Sequence, residues 1–457
     1  MKQADSKDDH LHSGNDDAHS CVFCKNNINF ELPEELIQKT LKGDVVIFAG
    51  AGISTESSTV FPSSFYAECA LELGLDPEGD ISFPEMMSKY VSKFNRRKLL
   101  QEIKKRFDYV DSFKDLRWAS SRFHKELSTI PYLRDIVTTN WDTLFEEETG
   151  AIPLVTPEDY AFWDLPARKV FKIHGSMSNI GTLIATEEDY KECYRALHKG
   201  TLGASLKHML ATKTLVFIGY SFRDDDFKRI YGYIQKEMGD VIPESYVVTT
   251  STSRPALVKN SVVIQTGGEY FIQKLKKALV DQETMLPDSR FEKLDELLFW
   301  VSDAHHELIE FDSFSKYPEL IYTSAYQEGM LHALERIRTR HNTGEYSDPH
   351  HIQHTVHSYQ RLLKGAIRSK KYFDASYIEG YLDGLLCLVI DGYVNQVPLF
   401  YLYGYDESMD DIKTFKKLLG KGHTTKTALR KAEQIMKKRV GNLQPVHTPF
   451  LDGVEPI

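Results

Sequence analysis

Between residues 31 and 285 short apolar runs alternate with longer amphipathic stretches, and beyond residue 285 the short runs stop. The runs are DVVIFAG (44–50), RDIVTTN (134–140), KVFKIHG (169–175), TLVFIGYS (214–221), ESYVVTT (244–250) and NSVVIQT (260–266). Strands with one wet face alternate apolar and polar positions. None of these six does so strictly, and continuous apolar runs are what strands buried on both faces require. The pattern predicts an α/β domain with a doubly wound, Rossmann-like parallel sheet over residues 31–285. The first two runs are separated by more chain than one crossover helix needs. Within that stretch, about residues 55–130, Met87, Tyr90, Val91 and Phe94 recur at helical spacing. It reads as a helical insertion able to cover a cleft at the strand ends.

Past residue 285 the apolar positions follow helical spacing through SRFEKLDELLFWVSDAHHELIEF, SAYQEGMLHALERIRTRH, IQHTVHSYQRLLKGAI, FDASYIEGYLDGLLCLVIDGYV and DDIKTFKKLLG. Residues 286–457 are therefore expected to form a mainly α-helical domain, interrupted at HNTGEYSDPHH. The very apolar GLLCLVIDGYV belongs either at the centre of that domain or at a subunit contact. Residues 1–30, rich in Asp, His, Ser and Asn, read as a flexible acidic tail.

Composition narrows the function classes. A net charge of −10 argues against a sequence-independent grip on nucleic acid, which works by neutralising phosphates with Lys and Arg. No run approaches the roughly 18 apolar residues of a membrane span. The five cysteines, Cys21, Cys24, Cys69, Cys193 and Cys387, make no disulfide framework, which fits a reducing compartment and a cytoplasmic location.

Polar motifs sit where the strands end. Gly50, Ala51 and Gly52, followed by Ser54 and Thr55, form a loop of the kind that turns a helix N-terminus and backbone N–H groups toward an anion. A tight turn that binds nothing has the same sequence. In TTNWD, Asn140 and Asp142 stand at the crevice edge where open α/β sheets bind ligands, although both types also cap helices. His174 closes KVFKIHG and Gly219 and Ser221 follow TLVFI. Taken singly each motif is ambiguous; four in succession at strand ends point to one ligand crevice.

GAGIS, TTNWD, IHG and IGYSF, in this order on successive strands, resemble the signature set of the sirtuin family of NAD-consuming enzymes, over about residues 35–275. The resemblance implies that Gly50, Ala51, Gly52, Ser54 and Thr55 surround the NAD phosphates. It implies that Asn140 and Asp142 face the nicotinamide ribose and carboxamide, that His174 is the catalytic base, and that Gly219 and Ser221 hold the adenosine half. Ser251 and Gly267 stand where the family's last adenosine contacts fall. Two departures matter. The Cys-x-x-Cys pairs that hold the structural zinc of sirtuin deacetylases are missing, since only Cys193 lies between His174 and the next strand, so no zinc is expected. The glycine loop continues as STESSTVFPSSF, without the Asp-Phe-Arg segment of the deacetylases. The combination is similar to bacterial sirtuin-like NAD hydrolases of antiviral defence, which join a sirtuin-type domain to a second, regulatory one.

That resemblance implies cleavage of NAD to nicotinamide and ADP-ribose, with NAD as substrate and water as acceptor. Gating by the helical domain is expected, through homo-oligomerisation or a partner such as a helicase-like ATPase. A protein deacylase, an ADP-ribosyltransferase and a non-catalytic NAD or ADP-ribose sensor are the alternatives. Three weaker signals remain: His19, Cys21 and Cys24 in the tail, the carboxylates of FRDDDF, and His350, His354 and His357 on one face of a helix. Each has an ordinary explanation as solvated surface.

Overall fold

All six apolar runs form strands, and the sheet is parallel throughout. In the computed structural model, residues 26–438 are described apart from Ser58, 221–224, 252–260, Asp406 and Ser408, together with Val446, His447 and Pro449. The first unit runs α1 (Glu34–Leu41), β1 (Val45–Ala49), α2 (Phe65–Leu73), α3 (Phe83–Phe94), α4 (Arg96–Ser112), α5 (Lys114–Ser128), β2 (Asp135–Thr138), α6 (Leu144–Thr149) and β3 (Ile152–Leu154). It continues through β4 (Lys169–Lys172), α7 (Glu187–Lys199), α8 (Thr201–Thr212), β5 (Thr214–Ile218), α9 (Asp225–Met238), β6 (Ser245–Thr249), β7 (Ser261–Gln265) and α10 (Gly268–Asp281). The strand order is β3-β4-β2-β1-β5-β6-β7.

Every residue of the central strands β1 and β5 is buried, which is why their sequences are apolar without alternation. Chain order reverses between them: β2, β4 and β3 build outward on one side of β1, and β5, β6 and β7 on the other. Ala49 is level with Thr138 of β2 and with Ile218 of β5, so three strands end together at this switch point. Ligands of open α/β sheets bind at such a place. The seventh strand, β3, was not read from the sequence. It has three residues with Pro153 in the middle, too few to show a period, and it pairs only with β4 at the sheet edge, where a proline is tolerated.

The expected insertion consists of α2, α3, α4 and α5. Ser82 caps α3 by accepting from the Glu85 N–H. Cys69, Met86, Met87, Tyr90, Leu99 and Ile103 form an apolar cluster against which Trp141 and Met177 pack. Those two side chains come from the loops after β2 and β4, so the insertion lies over the carboxyl ends of those strands. At the opposite end of the sheet the buried Arg168 donates to the carbonyls of Ser128, Ile130, Leu133 and Thr149 at 2.7–3.2 Å. It thereby holds the ends of α5 and α6 against the start of β4. Residues 26–30, taken from the sequence as the end of a flexible tail, are anchored: Gly267 N–H donates to Asn26 O at 2.9 Å, Thr266 Oγ1 to Ile28 O at 2.8 Å, and Phe30 stacks on Phe271.

A second unit begins at Val280. It contains α11 (Ser289–Phe311), α12 (Leu320–Arg340), α13 (Pro349–Arg368), α14 (Tyr372–Val389), α15 (Ile412–Leu418) and α16 (Lys426–Met436). Helices α12 and α14 pack backbone to backbone. A Cβ on Gly329 would stand 2.0 Å from Tyr377 O, and one on Gly380 would stand 1.9 Å from Tyr326 O. Only glycine permits that approach. Of GLLCLVIDGYV, Leu385 and Leu388 are fully buried in the apolar cluster of this unit, while Ile390 is exposed. Among the described residues no helix is long and apolar enough to cross a membrane.

Candidate functional site

Every predicted site residue that lies within the described part of the chain falls at or just past the carboxyl end of a strand. Ser221 and the first residues of FRDDDF lie outside it, as do His19, Cys21 and Cys24.

From the sequence, the glycine loop is expected to open a helix whose N-terminus faces an anion. The structure corrects this: a single 3-10 turn spans Ala51–Ile53, and the next α-helix starts at Phe65. The N–H groups of Gly50, Gly52, Ile53 and Ser54 donate to the carbonyls of Ile218, Gly219, Gly50 and Ala51. The glycines serve the fold directly. A Cβ on Gly50 would stand 2.3 Å from Gly219 O, and Gly219 itself has φ +61°. These two glycines let the loops on either side of the switch point touch.

Beneath that contact lies a buried hydrogen-bonded knot. Asn140 Nδ2 donates to Gly50 O at 3.2 Å and to Ser54 Oγ at 3.3 Å, and Ser54 Oγ donates to Asp142 Oδ2 at 2.9 Å. Asp142 Oδ1 accepts the Leu144 N–H, the capping role left open for it, while its other oxygen ties two strand ends. The Thr138 hydroxyl fixes the start of the turn by donating to Ala49 O and accepting the Asn140 N–H, both at 3.0 Å. Asn140 is 5 % exposed, yet its Oδ1 has no partner among the described residues. Buried amide oxygens are seldom left so.

His174 is buried past the end of β4, its ring 4.8 Å from that of Tyr190. Met177 N–H donates to Trp141 O at 2.8 Å, which brings the loop after His174 against the loop of Asn140 and Asp142. The structure thus gathers Gly50, Ala51, Gly52, Ser54, Thr55, Asn140, Asp142, His174 and Gly219 at the ends of four adjacent strands. Ser251 follows β6, exposed, and Gly267 follows β7 with its N–H already given to Asn26 O. A cavity of about 250 Å³ opens beside the knot. Thr55 and Asp142 line it on the sheet side, and Phe107, Val110, Arg117 and Ser120 on the side of α4 and α5. Enclosed sites for drug-sized ligands run about 300–1,000 Å³, so this cavity is slightly smaller than those.

Several buried charged groups around the site were not read from the sequence. Lys172 donates from Nζ to Asp142 O and to Glu146 Oε1. Burial raises the Glu146 carboxyl above its ordinary range, and the Lys172 ammonium opposes that. Arg106 donates to Glu56, Glu68 and Ser63 O and lies over the Phe61 ring, holding the chain between the glycine loop and α2. His124, fully buried on α5 with its ring 4.4 Å from Phe145, is pushed down to about 4 by desolvation. The one available signal was weak: a lysine inside the apolar run KVFKIHG, two residues before the histidine.

Cys193 is buried in α7 and its Sγ lies 3.5 Å from Ile173 O, packed under the histidine loop. His350, His354 and His357 are exposed on α13. Among the described residues no group of three His, Cys, Asp or Glu could hold a metal ion.

The parallel sheet with its switch point makes this a Rossmann-like unit, and residues 134–265, from β2 to β7, match the SIR2-like domain family. Within that class the chain is similar to proteins named NAD(+) hydrolase ThsA. The one from Cytobacillus dafuensis is 28% identical over 214 residues, 46% of this chain and 41% of the relative. Those of Enterococcus faecium and Acinetobacter baumannii are 27% and 26% identical, over 42% and 44% of this chain and 40% and 41% of their own. The chain therefore spans about two fifths of the length of the curated relatives it matches.

Proposed function

We propose that the first unit cleaves NAD to nicotinamide and ADP-ribose in the cytoplasm, and that the second unit gates it in antiviral defence. The observation that carries this reading is Asn140. Its amide nitrogen is fixed by Gly50 O and Ser54 Oγ, and its oxygen at the switch point has no partner among the described residues. An oriented acceptor of this kind suits a ribose hydroxyl or a water. NAD would lie across the crevice with its phosphates near Gly50, Ala51, Gly52, Ser54 and Thr55. Its adenosine half would extend toward Gly219, Ser221, Ser251 and Gly267, and its nicotinamide ribose toward Asn140, Asp142 and His174.

Breaking the bond between ribose C1′ and the nicotinamide nitrogen moves the electron pair onto the pyridinium, which leaves neutral without needing a proton. Positive charge develops on the ribose ring, as in glycoside cleavage. Water oxygen bonds to C1′ and its proton passes to His174, the general base. Asn140 holds the ribose or the water, and Asp142 holds Asn140 through Ser54. The similarity to proteins named NAD(+) hydrolase supports hydrolysis as the outcome. For gating by self-association or by a helicase-like ATPase, the support now rests on α11, where Phe299 is 69% exposed beside Trp300.

The test is incubation with NAD, with and without an acetylated peptide. Nicotinamide and ADP-ribose in equal amounts without peptide support the reading. Acetyl-ADP-ribose formed only with peptide makes the chain a deacylase. NAD bound but no nicotinamide released makes it a sensor. Light scattering that finds a monomer, with and without the second unit, removes self-association.

A further inference from the structure

We propose that Lys172 is a positioning residue: its buried ammonium group pins the turn bearing Asn140 and Asp142 to the end of the strand that leads into His174. This rests on the reading of the site as an NAD-cleaving centre. Lys172 is the last residue of β4, level with Thr138 of β2. Its side chain is 1% exposed, and Nζ donates to the main-chain carbonyl of Asp142 and, at 2.9 Å, to Glu146 Oε1.

A desolvated ammonium group at a strand end is costly, and an aliphatic side chain would fill the same volume without that cost. What the aliphatic chain cannot do is donate to Asp142 O. From that carbonyl the fixed contacts run on: Asp142 accepts from Ser54, Ser54 from Asn140, and Asn140 donates to Gly50 O. Lys172 is thus the end of a chain of hydrogen bonds that crosses the ends of β4, β2 and β1. Glu146, in the first turn of α6, pairs with the ammonium group at 2.9 Å. Among the described residues Lys172 makes no hydrogen bond to Asn140 or to the glycine loop, so its effect passes through Asp142.

Two variants separate positioning from stability. Lys172→Met strands the Glu146 charge and is expected to lower both melting temperature and turnover. Lys172→Met combined with Glu146→Leu removes both partners of the ion pair, and replacing a buried ion pair with apolar side chains is often neutral or stabilising. Its melting temperature should return to within a few degrees of wild type. Its kcat for NAD should stay about 10- to 100-fold down, with KM within about threefold, the signature of a misplaced group rather than a lost binding contact. Amide exchange at Leu144, whose N–H is held by Asp142, should be at least about tenfold faster in the double variant, while β1 keeps its protection. Recovery of kcat along with melting temperature, or wild-type exchange at Leu144, overturns the proposal. If wild-type protein releases no nicotinamide while Leu144 exchange still rises, the functional reading fails and Lys172 stands as a loop restraint alone.

Discussion

The two units bury polar side chains in opposite ways. In the sheet unit Ser54, Thr55, Asn140, Asp142, Lys172 and His174 collect at the ends of adjacent strands, and at their centre an amide oxygen has no partner among the described residues. In the helical unit two half-buried carboxylates of α14 are met from nearby by tyrosines. Tyr326 and Tyr393 donate to Asp383 at 2.6 and 2.8 Å, and Tyr401 donates to Glu379 at 2.7 Å. A polar set that spends its acceptors internally fixes how helices pack; one that keeps an acceptor at a crevice is arranged for something else to bind. The difference teaches where to look for chemistry more surely than burial alone does.

The largest expected effect is on turnover. His174→Ala should lower kcat by about 10²- to 10⁴-fold and Asn140→Ala by about 10²- to 10³-fold, with melting temperatures little changed. Tyr326→Phe, in the helical unit, should leave nicotinamide release within about threefold. Equal losses from both units would erase the distinction drawn between them.

Next comes Arg168. Removing it strands four carbonyls, two at the ends of α5 and α6 and two in the loop before β2, so Arg168→Met should cost about 3–5 kcal/mol, seen as lost exchange protection across β2 and β4. Its place at the far end of the sheet leaves KM for NAD unaltered in whatever protein stays folded.

Acid should then separate the units. His124 takes a proton near pH 6.5 when unfolded but only near 4 in the fold. Between those values the unfolded chain binds more protons, so stability from the neutral imidazole is complete above pH 6.5 and is lost as pH falls, by about 3 kcal/mol in all. Wild type should lose protection in α5 relative to His124→Leu between pH 7 and 5. Glu328 has the opposite sign. Burial raises its carboxyl from 4.5 to about 6, so between those values the folded state holds the extra proton. Stability gains about 2 kcal/mol as pH falls through that window, and protection in α12 should rise relative to Glu328→Gln. Parallel responses in α5 and α12 would show that one electrostatic regime governs both.

Much of the fold was legible because parallel strands announce themselves locally. VVIFA and TLVFI need no partner in sequence to be recognised as buried on both faces. The strand β3 was not legible, since Ile152, Pro153 and Leu154 become a strand only when β4 offers an edge. At the site, Asn140, Asp142 and His174 could be picked out because polar residues closing apolar runs are few. Lys172, Glu146, Arg106 and Arg168 could not, because a charged residue is buried or exposed according to partners that come from elsewhere in the chain.

By itself, then, the sequence determined the parallel sheet, the helical second unit and which polar residues cap the strands, since all of these follow from short-range periodicity and residue type. Only the tertiary structure decided what the glycines are for and what holds the turn. Gly50 and Gly219 are 169 positions apart and face each other across the switch point, and Lys172 meets Asp142 thirty positions away. Such contacts depend on strand order, and strand order is set by how the whole sheet packs.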